Sequence, residues 1–186
     1  VADEFVAKLA LKARTLLACD PRDGGALGAL VDIRAGERMQ ALIADAVGKG
    51  AILACGGNRD GAIVEATLLD RVTPEMRIYR EESFGPVKSV IRVNGVDEAV
   101  RVANDTEYGL SAAVYGRDIM RAMAVAKRIE SGICHINGPT VSDEPQIPFG
   151  GVKASGYGRF GGRWGLDAFT ETRWITIEDP QQQYPL

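Results

Sequence analysis

Ala112-Ala113-Val114-Tyr115-Gly116, the stretch 118–130, and Ile133-Cys134-His135-Ile136-Asn137 together decide the fold. The first and last are short apolar runs of the kind that form strands. Between them Ile119, Met123, Ala126 and Ile129 recur at helical spacing. Strand, helix and strand in so short a span imply a crossover connection, and a crossover makes the two strands parallel.

The alternation extends outward. A helix is expected over 96–104, and short apolar runs at 51–54, 63–69 and 87–93, bounded by Gly, Asn, Asp and Pro, read as further strands. Residues 4–17 carry Phe5, Leu9, Ala13, Leu16 and Leu17 on one stripe, with Lys8, Lys12 and Arg14 elsewhere, which is the pattern of an amphipathic helix. The turn Asp20-Pro21-Arg22-Asp23-Gly24-Gly25 ends it. A second helix is expected over 32–49, with Met39, Leu42, Ile43, Ala46 and Val47 inward and Gly50 at its C-terminal cap. From 138 to 162 both periods vanish and Gly and Pro accumulate, the mark of a functional or disordered stretch. A short helix near 163–169, a strand at 172–177 holding Trp174, and a surface tail from 179 complete the reading; apart from Gln181 to Gln183 no low-complexity block is present. The fold class is therefore α/β, a mostly parallel sheet with helices on both faces and a last strand at the C-terminal end.

A chain of 186 residues that is 46% hydrophobic and 25% charged can bury one sizeable core. Its formal net charge of -3, with basic residues dispersed, argues against nucleic acid as a partner and leaves a small molecule or a protein. No run of about 18 apolar residues and no secretory leader is visible, so a membrane span is not expected and the cytoplasm is. The chain opens on Val1 in a segment that already reads as helix, which suggests residues missing from the front. Cys19, Cys55 and Cys134 are an odd, irregularly spaced set that suits reduced thiols. With His135 they could formally make a four-ligand zinc set, but adjacent Cys134 and His135 point to opposite faces of a strand, and no metal site is expected.

Two glycine motifs invite dinucleotide or phosphate chemistry. Gly156-Tyr157-Gly158-Arg159-Phe160-Gly161 matches the GxGxxG pattern, with Glu178 downstream at about the distance of a ribose-binding acid. That fingerprint must follow a buried strand, which Glu144-Pro145-Gln146-Ile147-Pro148-Phe149-Gly150-Gly151 cannot be, so a close-approach glycine loop is the better reading. In Gly150-Gly151-Val152-Lys153-Ala154-Ser155 the Lys and Ser stand at the wrong spacing for a phosphate loop. Glu81-Glu82-Ser83-Phe84-Gly85-Pro86 lies on a loop before the strand that opens at Val87, and taken alone would be a turn with two solvated carboxylates and a core phenylalanine.

Taken together and in order, Glu81 to Pro86, Ala103-Asn104-Asp105 with Tyr108-Gly109-Leu110-Ser111-Ala112, Gly132-Ile133-Cys134-His135-Ile136-Asn137, and Pro148-Phe149-Gly150-Gly151 through Gly158-Arg159 resemble the C-terminal third of an aldehyde dehydrogenase. The resemblance covers essentially the whole chain and is greatest to the dehydrogenases of aromatic aldehydes, the salicylaldehyde, benzaldehyde and vanillin type. It implies NAD or NADP as cofactor and a small-molecule aldehyde as substrate. It implies that Glu82 accepts hydrogen bonds from the hydroxyls of the nicotinamide-side ribose, a role suited to an acceptor-only anion. Phe84 would pack beside the nicotinamide ring, Phe149 would line the aldehyde tunnel, and the stretch 138–147, ending at Ile147, would form the rest of that wall. Phe160 stands where many relatives carry a glutamate that helps move protons or water, a role phenylalanine cannot fill; the substitution suits the aromatic-aldehyde group.

The resemblance also implies that the nucleophilic cysteine precedes Val1, so that no catalytic residue lies in this chain and the chain alone is inactive. Residues 1–155 would be the later part of the catalytic domain, and 156–186 a glycine loop, short helix, oligomerisation strand and tail serving a homodimer or homotetramer. Two other readings stand beside it. One is a non-catalytic oligomerisation or interaction module derived from such an enzyme; the other is a free-standing nicotinamide-binding domain built on Gly156 to Gly161.

Overall fold

The computed structural model describes residues 1–181 and 183, so the glutamine run and the tail fall partly outside the described residues. It divides into two units, Val1–Asn94 and Gly95–Leu186. The first begins with helix α1 (Ala2–Arg14) and a 3-10 turn (Pro21–Asp23), followed by α2 (Ile33–Gly48), β1 (Ile52–Cys55), β2 (Arg59–Asp60), β3 (Ile63–Val64), β4 (Thr67–Asp70), the single turn α3 (Arg77–Arg80) and β5 (Val87–Val90). Asp32 starts α2 by accepting a 2.8 Å hydrogen bond from the Ala35 N–H, and Gly50, at φ +100°, ends it just past Lys49.

All four residues of β4 are buried, because it is the central strand of the order β1-β4-β5 and is covered on both faces. Leu69 joins Met39, Leu42, Ile43 and Ala46 of α2, while its neighbour Leu68 points the other way, to Val6 and Ala10 of α1 and Cys55. The expected helix-covered sheet is present here, with two differences. Only β4–β5 is parallel; β1 lies antiparallel to β4, since the segment between them is the β2–β3 hairpin and contains no crossover helix. The apolar run at 63–69 is split between β3 and β4.

The fully buried residues of α1 are Val6 and Ala10; of the expected stripe, Leu9 and Ala13 pack partly buried beside them, whereas Phe5, Leu16 and Leu17 are exposed. Val47 of α2 is likewise outward. Small side chains on the sheet side let the helix approach closely, and bulk alone does not choose the face. Arg92 ties α1 to the sheet: its guanidinium forks onto Asp70 at 2.9 and 2.7 Å and reaches Asp3 at 2.8 Å. Those hydrogen bonds hold the Asp70 carboxyl below its usual range against the opposing effect of burial.

The second unit contains α4 (Val96–Asn104), β6 (Tyr108–Gly109), β7 (Ser111–Val114), α5 (Ile119–Ala126), β8 (Ile133–Ile136), β9 (Val152–Lys153) and α6 (Gly162–Ala168). β7 and β8 pair in parallel through the α5 crossover, as the deciding stretch requires, and β6 pairs antiparallel with β9. Asp118 caps α5 by accepting from the Arg121 N–H; Ala122 is the buried residue of the helix, the expected Ala126 and Ile129 following it are half-buried, and Ile119 and Met123 are exposed. Residues 172–177 pair with no strand among the described residues, and Trp174 and Ile177 are almost fully exposed. A strand exists only when another supplies its ladder, and this segment finds none among the described residues. No helix among the described residues is long and apolar enough to cross a membrane.

Candidate functional site

The loop 81–86 in the first unit is held by its backbone. Arg38, projecting from α2, donates from one guanidinium nitrogen to the Ser83 carbonyl at 3.0 Å and from the other to the Glu82 carbonyl. Arg77 forks onto the Glu81 carboxylate at 2.6 and 3.0 Å and holds that carboxyl below its usual range, while Asp45 accepts from the Arg77 N–H at 2.9 Å. Glu81 is thus spent on structure. The Glu82 side chain is exposed and enters no ion pair among the described residues.

Phe84 has φ +48° and is 79% exposed. A bulky residue in the left-handed region costs on the order of 1–3 kcal/mol and persists only where its surroundings impose it. Gly85 supplies one such constraint: a Cβ there would lie 2.7 Å from the sulfur of buried Met39, so glycine lets the chain lie against α2 without moving that side chain. The outcome is a fixed loop offering one free carboxylate and one open aromatic face. These are groups that could hold sugar hydroxyls and a planar ring.

In the second unit the stretch 137–162 is irregular but densely pinned. Asn137, at φ +58°, accepts from the Gly116 N–H at 2.8 Å and donates to the Gly116 carbonyl at 2.9 Å. Asn104 does the same between Glu130 N–H and the Arg128 carbonyl, both at 2.9 Å. Lys153 reaches the Asn104 carbonyl at 2.9 Å and the Glu130 carboxylate at 2.6 Å, Ser155 accepts from the Gly109 N–H at 2.9 Å, and Arg159 donates to the Gly151 carbonyl at 2.8 Å. Gly150 and Gly151 are buried on Gly132, where a Cβ would sit 1.8 Å from the Gly150 oxygen. Phe149 leaves this base and pairs with Phe160, the two backbones exchanging hydrogen bonds of 2.8 and 2.7 Å. Ile147 and Phe149 are 52% and 37% exposed, so both offer apolar surface.

Glu82 and Phe84 therefore share one loop, and Ile147 and Phe149 share another in the second unit. Gly156 to Gly161 follows a turn rather than a buried strand, and the helix after it, α6, spans only seven residues. Each cysteine is built into the frame. Cys55 is buried with its sulfur against the Ala66 carbonyl at 3.7 Å. Cys19 lies beyond α1 and not at its end, in a bridge between Ala18 and Leu27, with its thiol on the Asp20 carbonyl at 3.3 Å. Burial pushes the Cys134 thiol up, away from the thiolate a nucleophile needs. The buried Nε2 of His135 has no hydrogen-bond partner among the described residues. No group of three potential metal ligands occurs among the described residues.

Arg38 has no signature in the sequence because its contact with Glu82 spans 44 positions, whereas Arg77 stands at the i,i+4 spacing from Glu81. Asn104 and Asn137 were marked only as parts of motifs; their bracketing of a neighbouring backbone has no spacing signature.

The family model described as "Aldehyde dehydrogenase family" matches residues 1–175. A vanillin dehydrogenase of Pseudomonas sp. (strain HR199 / DSM 7063) is 57% identical over the whole chain, which covers 39% of that protein. The crystal structure of a salicylaldehyde dehydrogenase from Pseudomonas putida G7, complexed with salicylaldehyde, superposes with a TM-score of 0.93 at 52% identity, over 100% of this chain and 39% of that one. An aldehyde dehydrogenase of Mycobacterium tuberculosis complexed with NAD+ superposes at 0.84 with 34% identity, over 91% of this chain and 36% of that one. The chain thus spans about two fifths of the length of the relatives it matches.

Proposed function

The chain belongs to the aldehyde dehydrogenase family, and we propose that it serves the NAD(P)-dependent oxidation of an aromatic aldehyde to its acid through a cysteine thiohemiacetal and thioester, with the thiol supplied from outside residues 1–186. The observation that carries this reading is the loop of Glu82 and Phe84. Its backbone is fixed by Arg38 and Gly85, while the carboxylate and the ring are left open. Glu82 accepts the ribose hydroxyls and Phe84 restricts the nicotinamide ring; NAD or NADP, when bound, accepts the hydride. Phe149 and Ile147 line the aldehyde side.

The chain's cysteines support a nucleophile elsewhere, since each is packed or bonded into the frame and the one whose thiol is shifted is shifted the wrong way. In this proposal residues 1–155 form the later part of the catalytic domain. Residues 156–186 provide the oligomerisation segment, in which exposed 172–177 acquires its ladder from a second subunit of a cytoplasmic homodimer or homotetramer.

The test is NAD(P)H formation with salicylaldehyde, vanillin and benzaldehyde. The full-length protein should turn them over, the chain of 186 residues alone should not, and a full-length variant with Cys19→Ser, Cys55→Ala and Cys134→Ala should keep its activity. Turnover by the chain alone, or loss of turnover in a folded triple variant, would overturn the assignment.

A further inference from the structure

We infer that Phe160 is a specificity-determining residue that forms, with Phe149, a continuous aromatic wall against the ring of the aldehyde. The inference rests on reading 147–149 as the aldehyde side of the site. Phe149 and Phe160 donate to each other's carbonyls at 2.8 and 2.7 Å, which makes them a directly opposed, hydrogen-bonded antiparallel pair. Two residues so paired carry their side chains on the same face, with Cα atoms about 5.5 Å apart, within contact range for two rings.

The pairing continues past the bridge, for the Gly162 N–H donates to the Pro145 carbonyl at 2.9 Å. The positions after Phe160 cannot bear side chains. A Cβ on Gly161 would lie 2.5 Å from the Ile147 oxygen and one on Gly162 2.6 Å from the Gln146 oxygen, and both glycines have positive φ, +84° and +49°. Of residues 160–162, Phe160 is therefore the only one able to place bulk beside Phe149. Phe160 is 57% exposed, against 37% for Phe149. Two adjacent open rings suit a flat aromatic ligand, which can stack on one and meet the edge of the other.

The experiment compares kcat/KM for benzaldehyde and for hexanal in the full-length wild type and in the Phe160→Ala, Phe160→Leu and Phe160→Tyr variants. Removing the ring should lower the benzaldehyde-to-hexanal ratio about tenfold, mainly through KM for benzaldehyde, and Phe160→Tyr should keep it. Phe160→Leu keeps apolar bulk without a ring, so it should fall with the alanine variant and carries the test if that variant fails to fold. An unchanged ratio in a folded Phe160→Ala or Phe160→Leu variant overturns the inference and leaves the aldehyde reading intact. A wild type that oxidises no aldehyde overturns that reading, and the inference with it.

Discussion

Replacing Gly132 by alanine adds one methyl group to a place that has no room for it. The new Cβ would stand 1.8 Å from the Gly150 carbonyl oxygen and 3.0 Å from the Gly151 Cα, when real Cβ contacts stay beyond about 3 Å. The obstacle is backbone, so no side chain can swing aside, and one segment must move by more than an ångström. Overpacking of this kind costs about 1–3 kcal/mol. The movement also strains the 2.9 Å hydrogen bond from Gly132 N–H to the Gly109 carbonyl, worth a further ~1 kcal/mol. A loss of about 3 kcal/mol follows, measured by urea unfolding of the full-length protein. Gly165 gives the control, since it lies within α6 and a Cβ there meets nothing within 4 Å. Gly165→Ala should leave stability unchanged or raise it by about 0.5–1 kcal/mol through helix propensity. Gly132→Ala should also lower kcat/KM for aromatic aldehydes more than Gly165→Ala does, because Gly150 is the base from which Phe149 departs. Equal stability of the two variants would refute the close-approach account of this motif.

Arg38→Met removes both donors to the Glu82 and Ser83 carbonyls. KM for NAD(P) should rise about tenfold with little change in unfolding midpoint, and Arg38→Lys, lacking the planar fork, should fall between; an unchanged KM in Arg38→Met would discard the positioning role. The Asp70 carboxyl titrates below its unfolded value of about 3.9, so its stabilisation is complete above about pH 5 and fades as pH falls through the lower folded value. Asp70→Asn should therefore cost about 2 kcal/mol at pH 7, since Arg92 keeps Asp3, and progressively less as pH falls below about 4; a cost that does not shrink in acid denaturant titrations would contradict the ion-pair account. Trp174→Glu places a charge in the exposed apolar segment 172–177 and should shift sedimentation toward a smaller species, whereas an unaltered sedimentation coefficient would remove that segment from the subunit contact.

The elements were legible where periodicity and breakers agreed. Helix α4 lies at 96–104 as the spacing predicts, and the β7–α5–β8 crossover follows from the run that ends at Asn137. The inward faces of α1 and α5 were not. In α1 Leu9 and Ala13 pack as the stripe suggests, but the fully buried positions are Val6 and Ala10, and in α5 the fully buried position is Ala122, because small side chains let a helix lie close to its sheet. The antiparallel β1 was hidden for another reason: a two-residue hairpin inside a glycine-rich connection leaves hardly any hydrophobic period to read.

The two candidate loops share a construction that explains what sequence could and could not reveal. Neither is anchored by burying its own large side chains; Phe84, Ile147 and Phe149 are all exposed. Each is held instead by glycines that closely approach backbone or a buried sulfur, and by side chains donating to main-chain carbonyls: Arg38 of α2 in one, and Arg159 and Lys153 of the stretch itself in the other. Glycines in motifs can be seen in a sequence, but donors that act across the fold cannot. Such anchoring leaves the exposed side chains of both loops uncommitted to the core and separates two kinds of failure. Loss of a donor such as Arg38 frees a loop while the core stays packed, so binding is lost before stability. A methyl on a glycine such as Gly132 forces packed backbone apart, so stability is lost along with the site.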